Sequence, residues 1–403
     1  MISNNVVDID NKGEVNKLEN FFFWGITIDI FFLPYLSSIS ISISVILVIL
    51  WMIIRVQNLK VYKEEALFIF MAILMLFGTL INPLYSGRAK FETSFITAIK
   101  RYFQYVLCFS VYFFYKNYFK TNNVDIERIL ILFIFYIAFF ALLYKIFPNI
   151  YANIKIKLNP ADNHTRRYLS NQVQYRFNYL WTDPNNISYM LSGIAGFLIF
   201  KDINYLKKNV LLILICFTEL CTASNGGIIM LLLVLSLQII FKFLYLIKSR
   251  ININKILFML FLLALLILIY RYTSLYKYIY NNYIRITLER ASYYSSSSGG
   301  RFDDLVNSFK YLEPFMLILG SGNEGFASEI GHIYWIGMYG GISYLIFMYI
   351  MFRVKLNKNY KKFIWMIPFF VGFTMNIAIG EYKWMAIYLF LLAYSRYGGM
   401  ANE

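Results

Sequence analysis

Two stretches of this chain hold the side chains best suited to chemistry. Residues 296–342 contain a Gly-Gly-Arg turn at Gly299, Gly300 and Arg301, then Gly320, Gly322, Glu324, Glu329, His332, Tyr334, Gly340 and Gly341. Residues 175–188 read Y-R-F-N-Y-L-W-T-D-P-N-N-I-S. A histidine moves protons near neutral pH, and His332 is one of only two in the chain. It is the first candidate for a general base. Glu324 and Glu329 are close enough in sequence to orient it or to serve instead. A lone histidine also serves as a packed structural residue. In the second stretch, Pro184 suits the first turn of a helix and Asp183 suits its N-cap. Arg176, just upstream, can bridge to Asp183 or to a ligand.

These stretches interrupt a chain that is otherwise apolar. Of 403 residues, 59% are apolar, 20% aromatic and 15% charged. A soluble domain carries nearer a quarter charged residues. Apolar runs of about 20 residues recur, the length that crosses a bilayer as a helix. Alternating ten-residue strands, the mark of a membrane barrel, are absent from the sequence. The expected fold is therefore all-α and polytopic, with about twelve spans. They fall near 21–36, 37–54, 66–83, 102–119, 129–147, 185–200, 209–223, 226–247, 256–272, 333–352, 363–380 and 382–396. The whole chain, 1–403, reads as a single transmembrane domain. Residues 1–20 are polar and mixed in charge, unlike a cleaved leader, so the first span is expected to persist.

A cytoplasmic N-terminus puts short lysine-rich loops inside, the strongest being Arg353, Lys355, Lys358, Lys361 and Lys362. Two long loops, 148–184 and 273–332, then fall outside. The second includes Phe302, Leu305, Val306, Phe309 and Leu312 at helical spacing, a short amphipathic surface helix. Basic residues outside are largely arginine: Arg88, Arg101, Arg166, Arg167, Arg176, Arg285, Arg290 and Arg301. Arginine presents a planar fork that matches phosphate oxygens in pairs, whereas lysine is a solvated point charge. With a formal charge of +16, the partners implied are anionic lipid headgroups or a phosphorylated substrate. Nucleic acid is excluded, since no polar domain carries a basic face.

Other signals are weaker. Cys108, Cys216 and Cys221 lie in apolar runs and read as small core residues. Asp8-Ile9-Asp10 matches a metal-binding D-x-D pattern, but no folded domain is expected around it and no other metal cluster is evident. Asp29 and Glu219 lie inside apolar spans, where an unpaired charge costs about 2.5–3.5 kcal/mol. They are expected to face the interior and to pair with a cation, or to mark an ion-coupled transporter.

Taken in order, the motifs resemble those of the O-antigen polymerase and ligase superfamily, bacterial inner-membrane glycosyltransferases with large periplasmic loops. The carriers are Arg176 with Asp183-Pro184-Asn185, Gly300-Arg301 ahead of Gly320 and Gly322, and His332 with Tyr334, Gly340 and Gly341. Ala223-Ser224-Asn225-Gly226-Gly227 is similar to the family's Ser-Arg-Gly-Gly break, with Asn225 in place of the arginine. The resemblance implies a GT-C-like fold and a metal-independent polymerase without a cofactor, joining undecaprenyl-diphosphate-linked oligosaccharides at the periplasmic face. A chain-length regulator and a flippase are the implied partners. Arg176 and Arg301 would hold the diphosphate, with Arg285 and Arg290 in reserve and Arg166, Arg167, Asp183, Asn185, Gly300 and Tyr334 lining the substrate. His332, then Glu324, would take the acceptor's proton. A ligase that transfers polymer to lipid A core, or a lipid-linked oligosaccharide flippase, are the alternatives.

Overall fold

A computed structural model describes residues 6–35, 42–55, 62–85, 93–159, 162–171, 175–181, 183–201, 203–248, 268, 277, 312–324, 331–353, 363–375 and 382–398. Among them are fourteen α-helices and no strand. In chain order these are α1 (Val6–Phe32), α2 (Ile43–Arg55), α3 (Lys63–Leu80), α4 (Phe95–Thr121), α5 (Ile126–Ile146), α6 (Pro148–Leu158) and α7 (Asn163–Leu169). They continue as α8 (Pro184–Phe200), α9 (Tyr205–Thr222), α10 (Asn225–Lys248), α11 (Pro314–Leu319), α12 (Gly331–Phe352), α13 (Met366–Met375) and α14 (Tyr382–Tyr397). Two of them, α5 and α12, are long and apolar enough to cross a membrane.

Cap chemistry sets many of the starts. Ser94 accepts from Thr97 N at the head of α4, and Asp125 accepts from Arg128 N at the head of α5. Asp183 accepts from Asn185 N at the head of α8, with Pro184 in the first turn, as the sequence leads one to expect. Helices replace loop in the first expected outer segment. Pro148 opens α6, and Asp162 accepts from His164 N and Thr165 N to open α7. Their polarity hid them from a hydropathy reading, while the capping residues were present all along. The expected ninth span lies outside the described residues apart from Leu268, and so does the expected surface helix up to Tyr311.

α8 and α14 form the centre. Every residue of α8 except Asn185 and Phe200 is buried, and so is every residue of α14 except Tyr394, Ser395 and Arg396. Phe390 of α14 meets the ring edges of Phe31, Tyr115 and Phe119. α8 also packs on α13 through glycine: Gly193 lies against Phe369, Gly196 against Trp365 and Gly372 against Tyr189. Small residues let the helices approach closely. The order of those pairs makes α8 and α13 antiparallel. His332, at the start of α12, meets Thr374, at the end of α13. The heads of α8 and α12 therefore lie at one end of the bundle. At the opposite end Lys116 pairs with Glu64 and Glu65, and Arg396 bonds Tyr112 and the Arg353 carbonyl.

Asp29 has the expected cation. Lys383 Nζ of α14 lies 3.2 Å from Asp29 Oδ1, with both side chains fully buried. The ammonium also donates to the carbonyls of Asp29, Leu33 and Pro34, and Ser44 N donates to Asp29 Oδ2. This knot ties the end of α1 to the heads of α2 and α14.

Candidate functional site

The first constellation is built on Arg176. Its segment is tied to the end of α9, where Phe177 N donates to Cys221 O at 3.1 Å. Arg176 Nε donates to Thr222 O at 3.0 Å, and Arg176 Nη2 donates to Asn185 Oδ1 at 3.1 Å. Ser224 Oγ donates to the same Asn185 oxygen at 3.0 Å. One guanidinium thus bridges the head of α8 and the α9–α10 turn. That turn is sharp because Ala223 sits in the left-handed region, with φ 48°. The positive dipole ends of α8 and α10 converge beside the arginine, an arrangement that favours an anion. Asp183 works against it at α8, because its carboxylate already takes the Asn185 N–H in the first turn.

A buried network stiffens the ground beneath. Lys155 Nζ pairs with Asp162 Oδ2 at 2.5 Å and donates to Trp181 O at 2.7 Å. Thr165 Oγ1 and Asn178 Nδ2 donate to the same carboxylate oxygen. The segment carrying Arg176 is therefore clamped to α6 and α7. Arg166 and Arg167 lie on the last turn of α7, both exposed to the surroundings. His164 stacks on Tyr175 at 6.1 Å between ring centres. Burial holds its imidazole below the ordinary histidine pKa, and Asp162 pulls the other way.

The second constellation is built on Glu324. α12 breaks at Gly340, where φ is 83° and ψ 160°. A break there deprives Gly337 O and Met338 O of their helical donors. The Gly320–Gly322 turn supplies replacements: Ser321 N donates to Gly337 O at 2.8 Å and Gly322 N to Met338 O at 3.0 Å. Gly340 has a second reason to be glycine, since a Cβ would lie 2.2 Å from Ile318 O. The turn is pinned on its other side by Asn82 Nδ2, which donates to Gly322 O at 2.7 Å. Thr93 N donates to Asn323 Oδ1 at 3.2 Å, and Glu324 N donates to Thr93 Oγ1 at 2.9 Å.

So positioned, Glu324 Oε1 accepts from Arg101 Nε at 3.1 Å and from Tyr334 Oη at 2.9 Å. Among the described residues its Oε2 has no hydrogen-bond partner. Arg101 and Glu324 keep 38% and 24% of their side chains exposed. Tyr334 is buried behind them.

His332 is placed apart from this acid. Its Nε2 lies 2.9 Å from Thr374 Oγ1 and its Nδ1 3.1 Å from Tyr344 Oη. The Thr374 hydroxyl donates to Phe370 O, so its hydrogen is spent. Nε2 must then be the donor and Nδ1 the acceptor. The neutral ring is satisfied on both nitrogens and packed against Phe370 and Phe373.

Of the sequence candidates, Arg176, Asp183 and Asn185 come together, and so do Glu324 and Tyr334. Arg285, Arg290, Gly300 and Arg301 lie outside the described residues, as does Glu329. Arg101 was legible only as one more outer arginine. Its partnership with Glu324, 223 residues away, left no local trace. Among the described residues no group of three or more His, Cys, Asp or Glu side chains gathers to hold a metal. Comparison with protein-family models, curated proteins and solved structures finds no match to this chain.

Proposed function

We propose that this chain is a multi-pass polymerase of the bacterial inner membrane, with its N-terminus in the cytoplasm. It would join undecaprenyl-diphosphate-linked oligosaccharide units into an O-antigen or related surface polysaccharide. The observation that carries this reading is the placement of a braced arginine and a half-open acid at one end of a greasy bundle. A glycosyl transfer from a lipid diphosphate needs these two groups and little else.

Membrane residence is supported by the outward faces of the helices. Ile46, Leu50 and Ile53 of α2, Ile69, Ile73 and Phe77 of α3, and Leu132, Phe135 and Phe139 of α5 are all exposed. So are Ile213 of α9 and Ile229, Leu232 and Ile239 of α10. Apolar surface this extensive suits a lipid surround.

The chemistry follows from the groups. As the bond between the donor's anomeric carbon and the diphosphate oxygen breaks, its electron pair stays on that oxygen and negative charge collects on the diphosphate. Arg176 and the head of α10 stabilise that charge with dipoles already in place. A diphosphate leaves without a proton. The acceptor hydroxyl must lose one as its oxygen bonds the anomeric carbon, and Glu324 Oε2 takes it. Arg101 and Tyr334 hold the other oxygen and aim the group. Glu324 therefore assumes the base role in place of His332, whose nitrogens are both engaged. Arg166 and Arg167 suit phosphate or sugar contacts at the rim.

The test is deletion of the gene followed by gel display of the surface polysaccharide. Core bearing a single unit is the expected result. Bare core with polymer kept on its lipid carrier would make the chain a ligase. Bare core with units trapped in the cytoplasm would make it a flippase.

A further inference from the structure

Glu219, one turn before the end of α9, is held quite differently from Asp29. It is buried, and among the described residues no cation pairs with it. Ser188 Oγ bonds its Oε2, and Ser192 Oγ lies 2.9 Å from its Oε1. Ser192 Oγ also lies 2.9 Å from Gly227 O, in the first turn of α10. A serine hydroxyl has one hydrogen, and a carbonyl oxygen can only accept. If Glu219 were ionised, Oε1 and Gly227 O would compete for that single hydrogen. One of the two contacts would then set lone pair against lone pair in a buried site, a costly arrangement. A neutral carboxyl satisfies all three contacts. Oε1–H donates to Ser192 Oγ, Ser192 donates to Gly227 O, and Ser188 donates to Oε2.

We infer that Glu219 is a proton-binding site, its proton held in a relay from Oε1 through Ser192 to Gly227 O that latches the α9–α10 turn onto α8. When the carboxyl ionises, the proton leaves to water and Ser192 swings its hydrogen from Gly227 O to Oε1. The α8–α10 bond opens. The turn so released carries Thr222 O, which anchors Arg176, and Ser224, which bonds Asn185. Thr222 Oγ1 in turn donates to the backbone carbonyl of Glu219 at 2.7 Å, within the last turn of α9. Gly227 seals the site: a Cβ there would lie 1.6 Å from Ser188 Oγ and 3.2 Å from Glu219 Oε2.

Among the described residues the surroundings contain little else that titrates. From α8 come Ser188, Ser192 and the Tyr189 hydroxyl, which faces Gly226. From α9 itself come Cys216 and Cys221, and Lys145 of α5 lies toward Cys221. Arg176 reaches Thr222 O, at the end of α9. Glu127 and Lys207, which pair with each other, belong to the opposite end of α5 and α9. The inference stands whether or not the chain makes polysaccharide.

Infrared spectroscopy of the full chain in lipid nanodiscs tests it. At neutral pH the wild type should show a protonated-carboxyl stretch that Glu219→Gln removes. Ser192→Ala should shift that band, because the acid loses its acceptor. Carboxylate bands in the wild-type-minus-Glu219→Gln difference would overturn the inference. So would a band that Ser192→Ala leaves unmoved, and this second variant decides the matter if the first fails to fold. Amide exchange at residues 223–228 should quicken roughly fivefold, the worth of one hydrogen bond, over the alkaline range where the band disappears. Exchange that stays constant across that range would overturn the latch.

Discussion

The Arg176 corner and the Glu324 corner occupy one end of the same bundle and are built on opposite plans. Arg176 is braced by a carbonyl and an amide from two different helix ends, above a buried lysine–aspartate clamp. Glu324 is braced on one oxygen only and leaves the other open. The difference matches what the two proposed roles would require. A cation that stabilises developing charge gains by being fixed before the charge appears. A base must be steady and yet keep a lone pair within reach of its proton.

The sharpest way to break this comparison is Glu324→Gln. The amide keeps an oxygen for Arg101 and Tyr334 but cannot take a proton. Polymer formation from purified lipid-linked units is expected to fall by about 10²–10⁴-fold. Normal chains from this variant would end the base assignment. Arg176→Lys retains the charge and loses the two-pronged bracing. A drop of about 10²–10³-fold is expected, and near-wild-type turnover would show that the bracing is scaffold alone.

Gly340→Ala attacks the platform under Glu324 while leaving Arg176 untouched. An L-residue at φ 83° is strained, and its Cβ would press on Ile318 O. A loss of about 3 kcal/mol is expected, read as a lower melting temperature in detergent with loss of the Glu324 site. Unchanged stability would mean that α12 can bend there without glycine. The smallest effect belongs to His332→Ala. It removes packing beside the site rather than a group in contact with reacting atoms, so turnover per folded molecule should fall less than about tenfold. Total loss of turnover in well-folded protein would return the base role to the histidine.

Some of this architecture was legible because its causes are local. Asp183 and Pro184 marked the head of α8 by cap chemistry, and the Ala223–Gly227 break announced the α9–α10 turn. The lone acid Asp29 in an apolar run implied a cation. What it could not imply was Lys383, 354 residues away, because an ion pair between helices has no period. α6 and α7 were missed for the reverse reason. Their capping residues were in view, but polarity outweighed them in a reading tuned to hydropathy.

The sequence by itself determined the helical class, the caps, the breaks and the unequal distribution of lysine and arginine, all of which follow from nearest-neighbour chemistry and composition. Only the tertiary structure decided which polar groups meet. It joined Arg101 to Glu324, engaged both nitrogens of His332, and set Glu219 between two serines and a carbonyl. Those outcomes depend on which helix faces turn toward each other. That is settled by packing summed over the whole bundle, which no single stretch of the chain encodes.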